Sequence, residues 1–330
     1  MPGSHDAGIY TGDAVQTGIT KPSLTVAICQ DGSIYEQCMW GSRFFDVRLK
    51  IQGDGSVKTY HQFAGQGAVG GSDNTILDDV NRFLSNRGSE FVILRISKTS
   101  ATKTGILQTI AQHPIASKLY LGFGNIAKEK IGNLRGKAIC VFDHEKIVLN
   151  PQDQAVGLHP FGKWKGADYV VGIQTCGAYA NDKSIRNVFS SQLAHTNKHL
   201  NHPRNHLFVL YWTQTGGNIG ANTYKALNDA KAFRKGRAAG GAYHNMDYML
   251  KILSEPGVAA GGDTGRFGES WSVRAKGKIF KTRVQPTTWQ DRRDHMPNVI
   301  MYDFVNRNTS EQIVMLNQPN LQGVLIDELV

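Results

Sequence analysis

The sequence predicts an α/β fold, a closed barrel of eight parallel strands wrapped by helices. Three observations carry this. Runs of five to eight residues rich in Val, Ile, Phe and Tyr recur along the chain, as strands buried on both faces require. Helix-periodic or glycine-rich stretches separate them, the alternation that builds a parallel sheet. Polar residues able to do chemistry fall at the ends of the runs.

The chain opens on PGSHDAG (2–8), read as the stub of a first strand followed by His5-Asp6, with the strand expected to begin upstream of Met1. Seven further runs follow: 43–49 (RFFDVRL), 57–63 (VKTYHQF), 91–97 (FVILRIS), 137–142 (KAICVF), 169–174 (YVVGIQ), 206–213 (HLFVLYWT) and 298–304 (NVIMYDF). Between them, 75–85 sets Ile76, Val80, Phe83 and Leu84 on one helical face, with Asn74 or Asp73 as the cap. A second helix at 184–200 aligns Ile185, Val188, Phe189 and Leu193. Gly65, Gly67 and Gly70 match a dinucleotide fingerprint in form, but Glu90 precedes the next strand where the ribose-binding acid should end it. They are read as a glycine-rich loop after a barrel strand.

The 330 residues are read as one barrel, 1–330, carrying a basic glycine-rich insertion at about 234–293 between the last two strands. An apolar share of 40% excludes wholesale disorder. No apolar run reaches the ~18 residues that cross a bilayer. Cys29, Cys38, Cys140 and Cys176 form no CxxC pair, so they are expected to be reduced, part-buried thiols and not a disulfide or metal framework. No charged n-region precedes an apolar h-region at the N-terminus. The net charge of +10 points to an anionic partner, and the insertion holds 12 Lys+Arg against 5 Asp+Glu. No RRM, KH or helix-turn-helix signature accompanies that charge, so nucleic acid is not expected. With Phe267, Trp271, Phe280 and Trp289 among the basic residues, the insertion fits a peripheral patch on anionic lipid.

Asp46 and Arg48 stand two apart on one strand and share a face. His61 ends the next run, and Asp303 lies in the last. Closing a barrel makes the first and last strands neighbours, so His5 and Asp303 can meet. Two histidines with carboxylates to fix their tautomers, plus one arginine, suit acid–base chemistry on a phosphodiester. The guanidinium offers a bidentate fork to phosphate without a metal.

At these residues the sequence resembles the bacterial phosphatidylinositol-specific phospholipase C family. PGSHDAG, GSRFFDVRL (41–49), Tyr60-His61, SEFVILRIS (89–97), LRGKAICVF (134–142), LFVLYWTQT (207–215) and PNVIMYDFVN (297–306) run in family order. The resemblance implies a distorted, irregular TIM barrel that cleaves phosphatidylinositol to diacylglycerol and a cyclic inositol phosphate. By it, His5 is the general base on the inositol 2-hydroxyl, oriented by Asp303. His61 is the general acid with Asp6 as partner, Arg48 stabilises the phosphate, and Asp46 positions the basic groups. Lys98 falls near a lysine that faces the inositol, with Ser97 as the alternative alignment, and Tyr179 matches an aromatic that stacks on the ring. Eukaryotic relatives carry a calcium-binding carboxylate where Arg48 stands and Asn where Asp6 stands, so no metal or other cofactor is expected. The resemblance further implies a secreted or exported bacterial enzyme, expected as a monomer. Two rival readings are a related phosphodiesterase on another phospholipid, lysophospholipid or sphingolipid, and a catalytically silent phosphoinositide-binding barrel.

Overall fold

In a computed structural model the structure describes residues 1–17, 27–63, 66–97, 103–143, 148–164, 171–182, 185–198, 205–214 and 297–315. Eight strands run parallel around a closed ring: β1 (Pro2–Ser4), β3 (Phe44–Ile51), β6 (Phe91–Ser97), β7 (Lys137–Asp143), β8 (Leu158–Lys163), β9 (Ile173–Cys176), β10 (Leu207–Trp212) and β11 (Val299–Tyr302). Only three residues long, β1 closes it, pairing Gly3 with Met301 on one side and Phe44 on the other. A Cβ on Gly3 would stand 2.7 Å from Val299 Cγ1, so glycine lets the short strand enter this crowded seam.

Strand alternation sorts the side chains into two cores. Phe45, Val47, Leu49, Val92, Leu94 and Ile96 face outward and pack with Ile76, Val80, Phe83 and Ile110 of the surrounding helices. Phe44, Ile93, Ile139, Val141, Val209, Tyr211 and Met301 fill the barrel interior. Asp46 and Arg48 share the inward face of Phe44, and Arg95 and Ser97 that of Ile93. The charged residues therefore lie toward the C-terminal ends of the strands, where parallel barrels carry their chemistry.

Several sequence expectations are corrected. The run at 57–63 is a strand, β4 (Val57–Phe63), but it is antiparallel to β3 and β5 (Gln66–Ser72). With β2 (Val15–Thr17) it forms a ribbon beside the barrel and not a stave of it. The missing stave is β8, LHPFGK, whose Pro160 and Gly162 gave no apolar pattern. The strand expected at 169–174 runs instead over Ile173–Cys176, after Gly172 takes a left-handed φ of 76°. Gly67 and Gly70 belong to β5, not to a loop, and Gly65 lies outside the described residues. A Cβ on Gly70 would run into the Gly8 carbonyl and come within 2.6 Å of Thr59 Oγ1, so glycine here lets β5 lie on the PGSHDAG segment.

The helix Asp73–Asn86 is capped by Ser72, whose hydroxyl accepts from the Thr75 N–H at 3.1 Å, in place of Asn74 or Asp73. The later helix covers Ile185–Lys198. All four cysteines are free and buried. No helix among the described residues is long and apolar enough to cross a membrane.

Candidate active site

The turn after β1 carries His5 and Asp6, and two buried glutamines hold it. Gln37 Nε2 donates to the carbonyls of Ala7 (2.9 Å) and Gly32 (2.7 Å), while Gln37 Oε1 accepts from the Ser4 hydroxyl. Gln30 Nε2 donates to the His5 carbonyl at 2.8 Å, and Gln30 Oε1 accepts from the Val305 N–H at 2.9 Å. Gln30 thereby ties the first site residue to the segment after β11 that bears Asp303. Asp6 and Phe304 both adopt left-handed φ, 43° and 53°. For Phe304 that conformation is strained by about 1–3 kcal/mol, and its N–H donating to the Cys29 carbonyl at 2.7 Å helps hold it. These two bends aim the Asp6 and Asp303 carboxylates at the same place.

His5 meets Asp303 as barrel closure requires, with Nδ1 2.8 Å from Oδ1. Asp303 lies one residue past the end of β11, and both groups are buried. On the other side of the ring, Nε2 is 3.2 Å from Arg48 Nη2 and 3.3 Å from Asp6 Oδ2. A guanidinium only donates, so the contact with Arg48 needs a lone pair on Nε2 and places the neutral tautomer's proton on Nδ1, toward Asp303. Burial opposes the imidazolium, but Asp6 and Asp303 outweigh it and, with Arg48 opposing them, raise the His5 pKa above its ordinary value.

His61 comes from β4 and presents Nε2 to the same carboxylate oxygen, 3.5 Å from Asp6 Oδ2. Its Nδ1 is 2.9 Å from the Ala27 carbonyl, which only accepts, so this nitrogen carries the proton of the neutral ring. Asp6 therefore serves both histidines and not His61 alone. The two rings are edge-on, with centroids 6.5 Å apart. Arg48 Nε pairs with Asp6 Oδ1 at 2.5 Å. Burial works against the Asp6 carboxylate, but Arg48, His5 and His61 more than offset it and lower its pKa.

Asp46 lies behind Arg48, at 3.8 Å from Nη2, and accepts from the Ser97 hydroxyl at 2.7 Å. Burial opposes its ionisation as well, yet Arg95, Arg48, His5 and Ser97 together hold its pKa at about 2. The Tyr179 ring packs 5.4 Å from His5 and 4.0 Å from Tyr211. Ser97 occupies the inward position at the end of β6, whereas Lys98 and the stretch 234–293 lie outside the described residues. That stretch falls in the chain between β10 and β11.

The structure brings to the site two groups not expected there from the sequence, Cys29 and Arg95. Cys29 Sγ is 3.4 Å from His61 Nδ1 and 3.9 Å from Asp6 Oδ2, and burial pushes its thiol pKa well above the ordinary value. Arg95 faces Asp46 from below, at 3.6 Å. The period-two reasoning that pairs Asp46 with Arg48 also pairs Arg95 with Ser97, and it was the available signal for Arg95. Nothing comparable marks Cys29, because its contacts depend on a loop path. Among the described residues, His5, Asp6 and Cys29 bring potential metal-ligand atoms within 4.8 Å of one another. Arg48 already stands against His5 and Asp6, so a cation there would face a guanidinium.

Fold and site together define a closed parallel α/β barrel with two histidines, an arginine and the carboxylates of Asp6, Asp46 and Asp303 gathered toward the C-terminal ends of its strands. No protein-family model matches the chain, and no curated relative matches its sequence. Solved structures do match. The phosphatidylinositol-specific phospholipase C of Listeria monocytogenes is 17% identical with a TM-score of 0.53, over 96% of this chain and 92% of that one. The F249X mutant of the Staphylococcus aureus enzyme is 18% identical with a TM-score of 0.50, over 95% and 91% of the two chains. A second Staphylococcus aureus structure, described as concerning modulation of membrane binding, is 17% identical with a TM-score of 0.52, over 96% and 92%. This chain has the barrel fold of those bacterial phospholipases.

Proposed function

We propose that the chain is a metal-independent phosphodiesterase of the phospholipase C type, cleaving phosphatidylinositol to diacylglycerol and inositol 1,2-cyclic phosphate. The observation that carries this is Asp6 Oδ2 lying between two imidazole Nε2 atoms, 3.3 Å from His5 and 3.5 Å from His61, beside the Arg48 guanidinium. In the first step neutral His5 takes the proton of the 2-hydroxyl on Nε2. The hydroxyl oxygen forms a bond to phosphorus and the bond to the diacylglycerol oxygen breaks. Protonated His61 gives its Nε2 proton to that leaving oxygen. The new imidazolium N–H on His5 turns from Arg48 to Asp6, while Asp303 holds the opposite edge of the ring. Arg48 offsets the charge that builds on the phosphate oxygens. An internal hydroxyl has an effective molarity on the order of 10⁵ M or more, so water is not needed in this step. Water then opens the cyclic product with the two histidines in exchanged roles.

Tyr179 stands beside His5 as a stacking face for the ring of the headgroup, and Lys98 is assigned to the same headgroup. The stretch 234–293 docks the enzyme on anionic lipid as a monomeric, peripheral protein exported from a bacterial cell. One observation favours the second reading, a different phospholipid headgroup: the inward position at the end of β6 is Ser97, not a lysine.

Phosphorus NMR of phosphatidylinositol vesicles tests the proposal. Wild type is expected to produce the signal of a five-membered cyclic phosphate in excess EDTA, and His5→Ala to produce none. Turnover without a cyclic product, or activity that EDTA removes and calcium restores, would refute the mechanism. Binding without turnover would support a silent lipid-binding barrel.

A further inference from the structure

Arg95 is a charged group of the barrel interior that the acid–base scheme leaves unused. Its guanidinium is 4.4 Å from the centre of the Phe161 ring, and its side chain is 14% exposed. Neither Nε nor Nη1 makes a hydrogen bond among the described residues. Burying an arginine is costly when its charge and its donors are not fully matched. An apolar side chain at this place would extend the interior core of Phe44, Ile93 and Val141, so packing does not account for the charge.

The geometry around Asp46 does account for it. Arg95 Nη1 lies 3.6 Å from Oδ1 and Arg48 Nη2 lies 3.8 Å from Oδ2, so one carboxylate stands between two guanidinium groups. Both separations exceed the roughly 2.7–2.9 Å of a charge-assisted hydrogen bond. The only close donor to Asp46 is the neutral Ser97 hydroxyl at 2.7 Å, among the described residues. Arg48 meanwhile keeps Nη2 at 3.2 Å from His5 Nε2 and Nε on Asp6. Charges of opposite sign thus alternate inward from Asp6 through Arg48 and Asp46 to Arg95. If Arg95 were removed, Asp46 would retain Arg48 as its one neighbouring guanidinium among the described residues, and their attraction in this poorly solvated interior would be unshared.

We propose that Arg95 is a positioning residue: by sharing Asp46 it stops the Arg48 guanidinium from closing onto that carboxylate, and so leaves the fork beside His5 for the phosphate. The inference rests on the reading of Arg48 as the phosphate-binding group. Arg95 touches no reacting atom in this account and acts on Arg48 through Asp46.

The test compares wild type with Arg95→Lys, Arg95→Met, Asp46→Asn and the double variant Arg95→Met/Asp46→Asn. Two readouts are used, kcat and KM on phosphatidylinositol vesicles, and the affinity for inorganic phosphate by calorimetry. Arg95→Met is expected to lower kcat tenfold or more with KM within twofold of wild type, and to weaken phosphate binding by a similar factor. Arg95→Lys restores most of both. The double variant is expected to be no worse than Asp46→Asn alone, since Arg95 has no route to Arg48 once the carboxylate is gone. Should Arg95→Met fail to fold, Arg95→Gln carries the same comparison. Unchanged kcat and phosphate affinity would overturn the proposal, as would fully additive effects in the double variant. A raised KM with kcat intact would also overturn it and make Arg95 a headgroup contact. If wild type cleaves no phosphatidylinositol, the functional reading fails, while phosphate affinity in wild type against Arg95→Met still decides the role of Arg95.

Discussion

His5 shows how much one side chain's pH behaviour depends on its neighbours. Burial alone would lower its pKa, but Asp6 and Asp303 raise it above the ordinary value of ~6.5, and the general base proposed here must be neutral to work. The acid limb of kcat/KM is therefore expected above that value. Asp303→Asn removes one of the two carboxylates, so the limb should move to lower pH while kcat falls by about 10²–10⁴-fold. A pH–rate profile of both proteins checks this, and a limb that stays in place would deny the pair its role. The same shift has a stability consequence. A folded-state pKa above the unfolded value stabilises fully below the unfolded pKa, and this contribution is lost as pH rises through the folded pKa. The His5–Asp303 meeting was legible in the sequence because closure of a barrel dictates it. The sharing of Asp6 was not, because it depends on a left-handed turn at Asp6, φ 43°, that no spacing rule supplies.

Strands buried on both faces were the easiest elements to read, and β6 has the bounds the apolar run gives. β4 also has the expected bounds but the wrong place, because a half-buried ribbon strand and a barrel stave can look alike over seven residues. That ribbon matters to the site, since it brings His61 to His5. Its anchor is Thr59, buried, whose hydroxyl donates to the Gly8 carbonyl at 2.7 Å and approaches the Gly71 carbonyl at 3.2 Å. Thr59→Val keeps the shape and leaves the Gly8 carbonyl without this donor, a loss of about 1–3 kcal/mol. The midpoint of thermal unfolding should fall by several degrees, and kcat should fall with it as β4 loosens from the turn that carries Asp6. Calorimetry and steady-state kinetics on the one variant measure both. A lower midpoint with unchanged kcat would mean that the ribbon's position is fixed elsewhere.

At the scale of the whole molecule, the barrel holds the site of the proposed chemistry but does not account for the +10 charge. The site sets the carboxylates of Asp6, Asp46 and Asp303 against the guanidinium groups of Arg48 and Arg95 and the two imidazoles, so it holds little of that excess. The excess is concentrated in 234–293, which falls in the chain between β10 and β11. If it docks on lipid, each basic group near an anionic surface contributes about 1 kcal/mol, and aromatic residues add an uncharged component. Reversing Lys276, Lys278 and Lys281 to Glu takes the net charge from +10 to +4. Loss of three such groups alone corresponds to about a hundredfold weaker partitioning onto anionic vesicles. The deficit should shrink as added salt shortens the screening length from ~10 Å at 0.1 M to ~3 Å at 1 M. Trp271→Ala and Trp289→Ala should weaken binding at every salt concentration, because the aromatic contribution is not screened. Vesicle sedimentation across a salt series separates the two components. Binding unchanged by the triple reversal at low salt would leave the charge without a membrane role, and kcat on a soluble substrate would then show whether it serves the chemistry instead.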